Sequence, residues 1–285
     1  MVKIISDSTC DLSGELLEKY DISILPLHIL LGEEEYEDGQ NITIEEIYDW
    51  SEAHKETPKT SAPSIDRAIE LFEPYVKKGD EIVCFSISES MSSSGNIMRM
   101  AAEQLEAESS VHVINSQNLS TGIGLLVVEA AAMAKDGKGA EEIVQRMEEL
   151  IPRVRASFVV DTLTYLHRGG RCSGLAAMAG GALKLHPRIQ VTDGEMQSGK
   201  KYRGSMDKVI LSYVRDMEED LKAADRTRVF ITHSGCGREI VEQVQKYLEG
   251  LNIFSEIWET RAGGVVSSHC GPGTLGVLFI DARER

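Results

Sequence analysis

The stretch that most constrains the fold runs from Glu81 to Leu105 and changes character twice. Ile82, Val83, Cys84, Phe85 and Ile87 form an apolar run bounded by Gly79-Asp80, too short for a helix and suited to a buried strand. Six serines then fall within nine residues, at positions 86, 88, 90, 92, 93 and 94. After Gly95-Asn96, Ile97, Met100, Ala101, Gln104 and Leu105 recur with helical period. Serine oxygens accept hydrogen bonds from first-turn N–H groups, so the pattern predicts a strand, a hydroxyl-rich turn and a helix N-terminus. Such a terminus presents N–H groups and the positive dipole end to a carboxylate or phosphate; the alternative reading is a capped turn with surplus polar residues.

The same unit recurs along the first half. Val2 to Ile5 reads as a strand, Ser6-Asp7-Ser8-Thr9 as a polar turn, and Leu12, Leu16 and Leu17 as part of a helix. Ile22 to Leu31 is extended, and Pro26 kinks it or puts it at a sheet edge. After a turn at Tyr36 to Gly39, Thr43 and Glu46 have capping-box spacing for a helix through Trp50. Lys59 to Ser64 reads as a second hydroxyl-rich loop, with Ser64 capping a helix that carries Ile65, Ile69, Leu71 and Phe72. Val111 to Ile114 is a further strand, and Gly122 to Lys135 a small-residue helix suited to packing on a sheet. Repeated βα units imply a mostly parallel sheet whose ligand cleft lies at the carboxyl ends of its strands, where these loops fall.

Beyond an amphipathic helix at Glu141 to Val154 the alternation loosens. The expected elements are a strand at Phe158 to Val160 and a short helix from Thr162 stopped by Gly169-Gly170 and flanked by Arg168 and Arg171. Gly174 to Leu183 reads as a buried helix or the wall of an apolar cavity. Ile189 to Val191 follows as a strand, then the Asp193-Gly194 turn, helices near Val209 to Leu221 and Glu239 to Leu248, and strands at Val229 to Thr232, Ile253 to Trp258 and Val277 to Ile280. At 285 residues the chain exceeds the usual single domain, and the change near Pro152 divides it into an α/β domain, 1–152, and an α+β domain, 153–285.

Charge and cysteine usage narrow the function classes. A formal charge of −16, with an acidic patch at Glu33 to Asp38, repels nucleic acid and anionic membrane surfaces. The five cysteines are scattered and never in C-x-x-C spacing, which fits a reducing cytoplasm better than a disulfide framework or zinc site. No apolar run approaches the roughly 18 residues of a membrane span, and the N-terminus turns polar at Ser6-Asp7, so neither a signal peptide nor stable membrane insertion is expected. Gly271 to Gly276 matches G-x-G-x-x-G but is followed by a strand instead of a helix, and is not a dinucleotide site. His233-Ser234-Gly235-Cys236-Gly237 lacks the G-x-S-x-G elbow and reads as a polar helix start. The seven histidines show no metal-binding spacing, and His269 sits in what reads as a glycine-rich loop.

The ordered set D-S-T-C-D-L from Asp7, Y-E-D-G from Tyr36, T-S-A-P-S from Thr60, M-S-S-S from Met91, D-T-L-T-Y-L-H-R-G-G-R from Asp161 and S-H-C-G-P-G from Ser268 resembles the DegV family of bacterial fatty-acid-binding proteins over essentially the whole chain. The resemblance implies two domains, the α/β and α+β ones above, with an acyl chain such as palmitate or oleate buried between them and no other cofactor. It implies that Thr60, Ser61, Ser92 and Ser93 bind the carboxylate, and that Asp38, Arg168, Arg171 and His269 lie near the head group and a partner surface. The implied partner is an ATP-dependent fatty acid kinase making acyl-phosphate for phospholipid synthesis, so the protein itself would be a carrier and not an enzyme. Two departures stand out. Met91-Ser92-Ser93-Ser94-Gly95 replaces the family's L-S-G-T-Y, and Asn115 replaces an aspartate. The alternatives are a lipid storage or sensing protein without a kinase, and an acyl hydrolase using the Ser92 or Cys236 region, which needs a nucleophile and base in contact. For Asp38 and Arg171 the alternative is an internal pair fixing the domain interface.

Overall fold

A computed structural model of the chain describes residues 1–171 and 185–283. In chain order the first half contains β1 (Val2–Asp7), α1 (Gly14–Tyr20), β2 (Ser23–Leu25), β3 (His28–Leu31), β4 (Glu34–Glu37), α2 (Ile44–His54), β5 (Lys59–Ser61), α3 (Ile65–Lys78), β6 (Glu81–Ser86), α4 (Ser94–Gln104), β7 (Val111–Asn115), α5 (Thr121–Lys135) and α6 (Ala140–Leu150). The second half contains β8 (Val154–Val159), α7 (Thr164–Arg168), β9 (Leu185–Thr192), β10 (Glu195–Arg203), α8 (Met206–Asp216), α9 (Glu218–Lys222), β11 (Ala224–His233), α10 (Arg238–Leu251), β12 (Glu256–Arg261), α11 (Gly264–Cys270) and β13 (Leu275–Asp281).

The fold is α/β, with a parallel sheet β2-β1-β6-β7, a mixed sheet β10-β9-β8-β13-β11-β12, and a small antiparallel sheet β4-β3-β5. β1 and β6 are buried along nearly their whole length, as strands covered on both faces must be, and this is why they read as continuous apolar runs. α5 lies between the two large sheets. Its Ile123, Leu126 and Val127 join one core cluster with Ile4, Val83 and Phe85 of the parallel sheet and Phe158, Phe230 and Leu278 of the mixed sheet. The small residues permit this approach: a Cβ on Gly122 would lie 3.2 Å from Ala156 Cβ, and one on Gly124 3.0 Å from the Cys10 carbonyl. The division proposed at residues 152 and 153 falls in the 3-10 turn Ile151–Arg153 between α6 and β8.

Several elements differ from the sequence expectation. The Ile22 to Leu31 stretch breaks at Pro26 into β2, which joins the parallel sheet, and β3, which pairs with β4 and β5. The predicted loop at Lys59 to Ser64 thus contains a strand. α6 stops at Leu150, ahead of Pro152, and β8 begins at Val154, earlier than the expected Phe158. The helix expected over Val209 to Leu221 is interrupted at Met217 into α8 and α9, and the strand expected from Ile253 lies at Glu256–Arg261. Ile189 to Val191 is the middle of a long hairpin, β9–β10, turned at Asp193-Gly194. The glycine-rich loop assigned to His269 contains α11. The stretch Gly174 to Leu183 lies outside the described residues.

Candidate functional site

The carboxyl end of β6, the link between β2 and β3, strand β5 and helix α11 converge on a pocket. Its wall is mostly apolar, from Leu27, Ile87, Met91, Leu119, Leu166, Met196, Val265 and Val266, with Cys270 among them. The polar groups on the wall are Thr60, Ser61, Ser92, Arg171 and His269. A concave, mostly apolar wall with a few convergent polar groups is typical of a small-molecule site.

Two buried carboxylates fix α11 against the first half of the chain. Asp11 Oδ1 accepts from the Gly263 N–H at 2.8 Å, and Asp38 Oδ1 from the Gly264 N–H at 2.8 Å. Asp38 also accepts from Ser8 Oγ at 2.8 Å. Burial pushes both carboxyls up, Asp11 to about 8. A Cβ on Gly264 would lie 2.6 Å from Ile29 Cδ1, so the helix seats against the small sheet only with glycine there. α11 in turn carries Val265, Val266, His269 and Cys270 into the cavity wall.

His269 Nε2 lies 2.7 Å from Thr60 Oγ1, while Nδ1 is buried and, among the described residues, without a partner. A buried N–H without an acceptor is costlier than a buried lone pair, so the proton is assigned to Nε2 and donated to Thr60. This leaves the Thr60 hydroxyl hydrogen for the cavity. Burial, with the charge of Arg171 in second place, pushes His269 down to about 4 and keeps the ring neutral at physiological pH. Gly169 lies over the ring, where a Cβ would sit 2.2 Å from Nδ1. Arg171 donates through Nη1 to the Gly169 carbonyl at 2.7 Å and through Nε to the Met91 carbonyl at 3.4 Å. Its charge therefore meets backbone dipoles, and among the described residues no carboxylate pairs with it.

The serine turn divides its labour. Ser88 and Ser90 both donate to the Gly194 carbonyl, at 2.7 and 2.5 Å, and so clasp the tip of the β9–β10 hairpin whose Met196 covers the cavity. Ser92 Oγ accepts from the Ser94 N–H at 3.2 Å at the start of α4, and its own hydrogen remains for the cavity. The turn's base is held by Asp7, which accepts from the Ile87 N–H at 2.8 Å.

Of the residues named from the sequence, Thr60, Ser61, Ser92, Arg171 and His269 meet at one cavity. Ser93 is exposed and off the wall, and makes no side-chain cap for α4. Arg168 is also exposed, donating to the Lys55 carbonyl at 3.2 Å. Asp38 is off the wall and does not pair with Arg171; it ties down α11. The nucleophile-like contact is made by Thr60, and neither Ser92 nor Cys236 bonds a histidine side chain through its own side chain: Cys236 Sγ donates to the Thr274 carbonyl. The sequence reading missed the apolar wall of α11, the Gly194 clasp and the Asp11 clamp; the adjacent Val265-Val266 pair was the available signal for the first.

A smaller pocket adjoins the first and shares Leu119, Val266 and Cys270 with it. Among the described residues no His, Cys, Asp and Glu cluster could hold a metal ion, and no helix is long and apolar enough to cross a membrane.

Fold and cavity together define an α/β protein built around an apolar chamber with hydroxyls and one guanidinium at its polar end. The chain belongs to the DegV family, described as uncharacterised, whose profile matches residues 1–282. A DegV domain-containing protein of Clostridium acetobutylicum is 32% identical over 282 residues, 98% of each chain. A solved DegV family protein of Thermus thermophilus, described for its fatty acid binding, superposes with a TM-score of 0.89 at 25% identity, covering 98% of this chain and 99% of that one. A stearic acid-binding protein of Eubacterium ventriosum does so with a TM-score of 0.87 at 31% identity, covering 99% of both.

Proposed function

We propose that the protein is a carrier that binds a long-chain fatty acid in the apolar cavity and presents its carboxylate to a cytoplasmic, ATP-dependent fatty acid kinase. The observation that carries this reading is the cavity itself, apolar along its length and supplied at one end with the free hydrogens of Thr60 and Ser92. The stearic acid bound by the Eubacterium ventriosum relative supports the ligand class. Thr60, Ser61 and Ser92 hold the carboxylate through neutral donors, and each buried methylene adds about 0.8 kcal/mol. Arg171, beside the hydroxyls but pinned to carbonyls, serves the transferring phosphoryl group, whose charge needs cationic donors.

Organic extraction of purified protein followed by mass spectrometry tests the first part. Bound saturated or unsaturated fatty acid is expected, whereas an empty protein that also fails to take up added palmitate or oleate sinks the carrier reading. Incubating the loaded protein with its cognate kinase and ATP tests the second. Acyl-phosphate is the expected product; its absence, with lipid still bound, leaves a storage or sensing role.

A further inference from the structure

The helix that carries Val265, Val266, His269 and Cys270 into the pocket wall is held from the first half of the chain by two acids and no base. Asp11 and Asp38 are 5% and 3% exposed, and among the described residues neither has a cationic partner. A Cβ built on Gly263 would lie 3.1 Å from Asp11 Oδ1 and 3.5 Å from Asp38 Oδ2, so the two carboxyl groups flank one methyl-sized space. Burial and a neighbouring like charge both favour the neutral acid, so the pair is disposed to keep one proton. The hydroxyls decide where it sits. Ser8 Oγ already accepts from the Leu27 N–H at 3.1 Å and gives its one hydrogen to Asp38 Oδ2 at 2.8 Å, while Asp38 Oδ1 accepts from the Gly264 N–H at 2.8 Å. Those contacts suit a carboxylate. Ser120 Oγ lies 2.5 Å from Asp11 Oδ2 and has no other side-chain hydrogen bond among the described residues, so it can accept a proton from Asp11 as readily as donate one. Ser120 is held at φ 54° and ψ −145°, a strained backbone for a residue with a side chain, and this keeps its hydroxyl on Asp11.

We propose that α11 is fastened by a proton-dependent latch, in which Asp11 Oδ2 carries a hydrogen and donates it to Ser120 while Asp38 stays ionised; loss of this proton loosens the pocket wall and, resting on the carrier reading, speeds release of the fatty acid. The proton passes to solvent, Ser120 turns its hydrogen back to Asp11, and a second negative charge then faces Asp38 behind the helix. The coupling to the wall is direct. The N–H and carbonyl of the wall residue Leu27 bond to Ser8 Oγ and to the Asp38 N–H, and α11 bears four more wall residues. Burial pushes the latched Asp11 up to about 8 from 3.8. Between these values the latched state holds the extra proton, so rising pH favours the loosened state, and the effect levels off above about 8. The other titratable groups facing the latch keep their charge from pH 6.5 to 9. Burial pushes the Cys10 and Cys270 thiols and the Tyr48 phenol up to about 12 and His269 down to about 4, and Asp7, raised to about 6, titrates below this range. Arg261, two residues before Gly263, pairs with Glu45, and the first turn of α5 has no ionisable side chain.

Hydrogen exchange of delipidated protein from pH 6.5 to 9, corrected for the intrinsic base-catalysed rate, tests the latch without a ligand. Protection of residues 263–270 is expected to fall by up to about tenfold per pH unit, the limit for one proton, until about pH 8 and then to level off. Asp11→Asn keeps an oxygen for Gly263 and a hydrogen for Ser120, and its protection should stay level throughout. Asp38→Asn removes the neighbouring charge that helps Asp11 hold its proton, so the levelling should begin at lower pH; loss of fold in one variant leaves the other to decide. Transfer of bound palmitate to excess albumin tests the coupling. Its rate should rise from pH 6.5 to 8 in the wild type and stay level in Asp11→Asn, since the ligand's own carboxyl is ionised over the whole range. Level protection in the wild type, or an Asp11→Asn profile that falls in step with it, would overturn the latch and leave the carrier reading standing. Protection that falls while palmitate release stays level would overturn the coupling to ligand. The expected exchange profile in a protein that takes up no fatty acid at any pH would support the latch and overturn the carrier reading.

Discussion

Gly169→Ala isolates the contact on which the polar end of the cavity depends. Gly169 has φ −71° and ψ −7°, a conformation alanine adopts freely. Taken alone, removing a glycine there stabilises by roughly 0.4 to 1 kcal/mol through the unfolded state. The added Cβ, however, would lie 2.2 Å from His269 Nδ1, 2.8 Å from Cε1 and 3.2 Å from the Tyr165 carbonyl. Ordinary contact begins near 3.5 Å, so the ring must retreat by roughly 1 Å. His269 has little room for this, since Nδ1 is buried and Nε2 is 2.7 Å from Thr60. Overpacking costs about 1 to 3 kcal/mol, which offsets the backbone gain and leaves a net loss of up to roughly 2.6 kcal/mol. Displacing the ring also turns the Thr60 hydroxyl, and a lost hydrogen bond to a charged ligand, about 1.5 to 3 kcal/mol, corresponds to roughly 10- to 150-fold weaker fatty-acid binding. The assay is a double-mutant cycle with His269→Ala, read by calorimetric unfolding and palmitate titration. In the His269→Ala background the same Gly169→Ala change meets no ring and should be neutral or stabilising. If Gly169→Ala raises the unfolding temperature equally in both backgrounds and leaves palmitate affinity unchanged, the steric argument is wrong.

Ser92→Ala and Thr60→Ala should each weaken palmitate binding roughly 10- to 150-fold while Ser93→Ala does not; equal effects of all three would place the head group elsewhere. Arg171→Ala should fold, retain fatty acid and support far less acyl-phosphate formation with the kinase, and loss of lipid or of thermal stability instead would make the arginine structural. Asp11 is expected to give an inverted pH dependence. Its folded value is raised to about 8 from 3.8, so the folded state holds the extra proton between these values and stability falls as pH rises through that window, by up to about 1.4 kcal/mol per pH unit. His269, held at about 4 against 6.5, opposes this only below pH 6.5, and Asp7, raised to about 6, contributes little above it. Unfolding temperature should therefore decline from pH 6.5 to 8 in the wild type and decline less in Asp11→Asn, which keeps an oxygen for Gly263; identical slopes would show that Asp11 does not carry the effect.

The parts of the fold that were legible are those where local preference and tertiary environment agree. β1 and β6 are apolar because both their faces are covered, and the Thr43–Glu46 box closes as its spacing predicts, with both reciprocal bonds formed. α11 was not legible because its local preferences oppose a helix. Two glycines precede two β-branched valines and two serines, all weak helix formers, and the helix exists because Asp11 and Asp38 hold its first N–H groups and its face is buried. β5 is three polar-leaning residues with no alternation to read, and it is a strand because β3 supplies the partner. β10 is largely polar and half exposed, so no apolar face marks it. The site shows the same limit. Thr60 and Ser92 stood out as members of hydroxyl clusters, but the 2.7 Å contact of Thr60 with His269 joins residues 209 apart, and nothing local to either announces it. The family resemblance named both residues without implying that they touch.

That contact is what a hydrolase and a carboxylate clamp have in common, and the ionisation of His269 separates them. A serine- or threonine-type nucleophile needs a base poised near the working pH and a third group that orients the imidazole and stabilises its protonated form. Here Nδ1 has no partner among the described residues, burial holds the ring at about 4, and the nearby cation Arg171 disfavours imidazolium further. A ring that will not take a proton instead serves as a fixed donor, and its Nε2–H points the Thr60 hydroxyl into the cavity. Neutral donors on both sides, Thr60 and Ser92, can satisfy a carboxylate without engaging both its oxygens in a bidentate guanidinium pair. Arg171 could have made such a pair, but its Nη1 is turned 2.7 Å from the Gly169 carbonyl and its Nε toward Met91. The same Gly169 thus holds the arginine through its carbonyl and His269 through its missing side chain. Displacing it should therefore disturb ligand affinity and acyl-phosphate formation together, whereas Arg171→Ala should disturb acyl-phosphate formation alone.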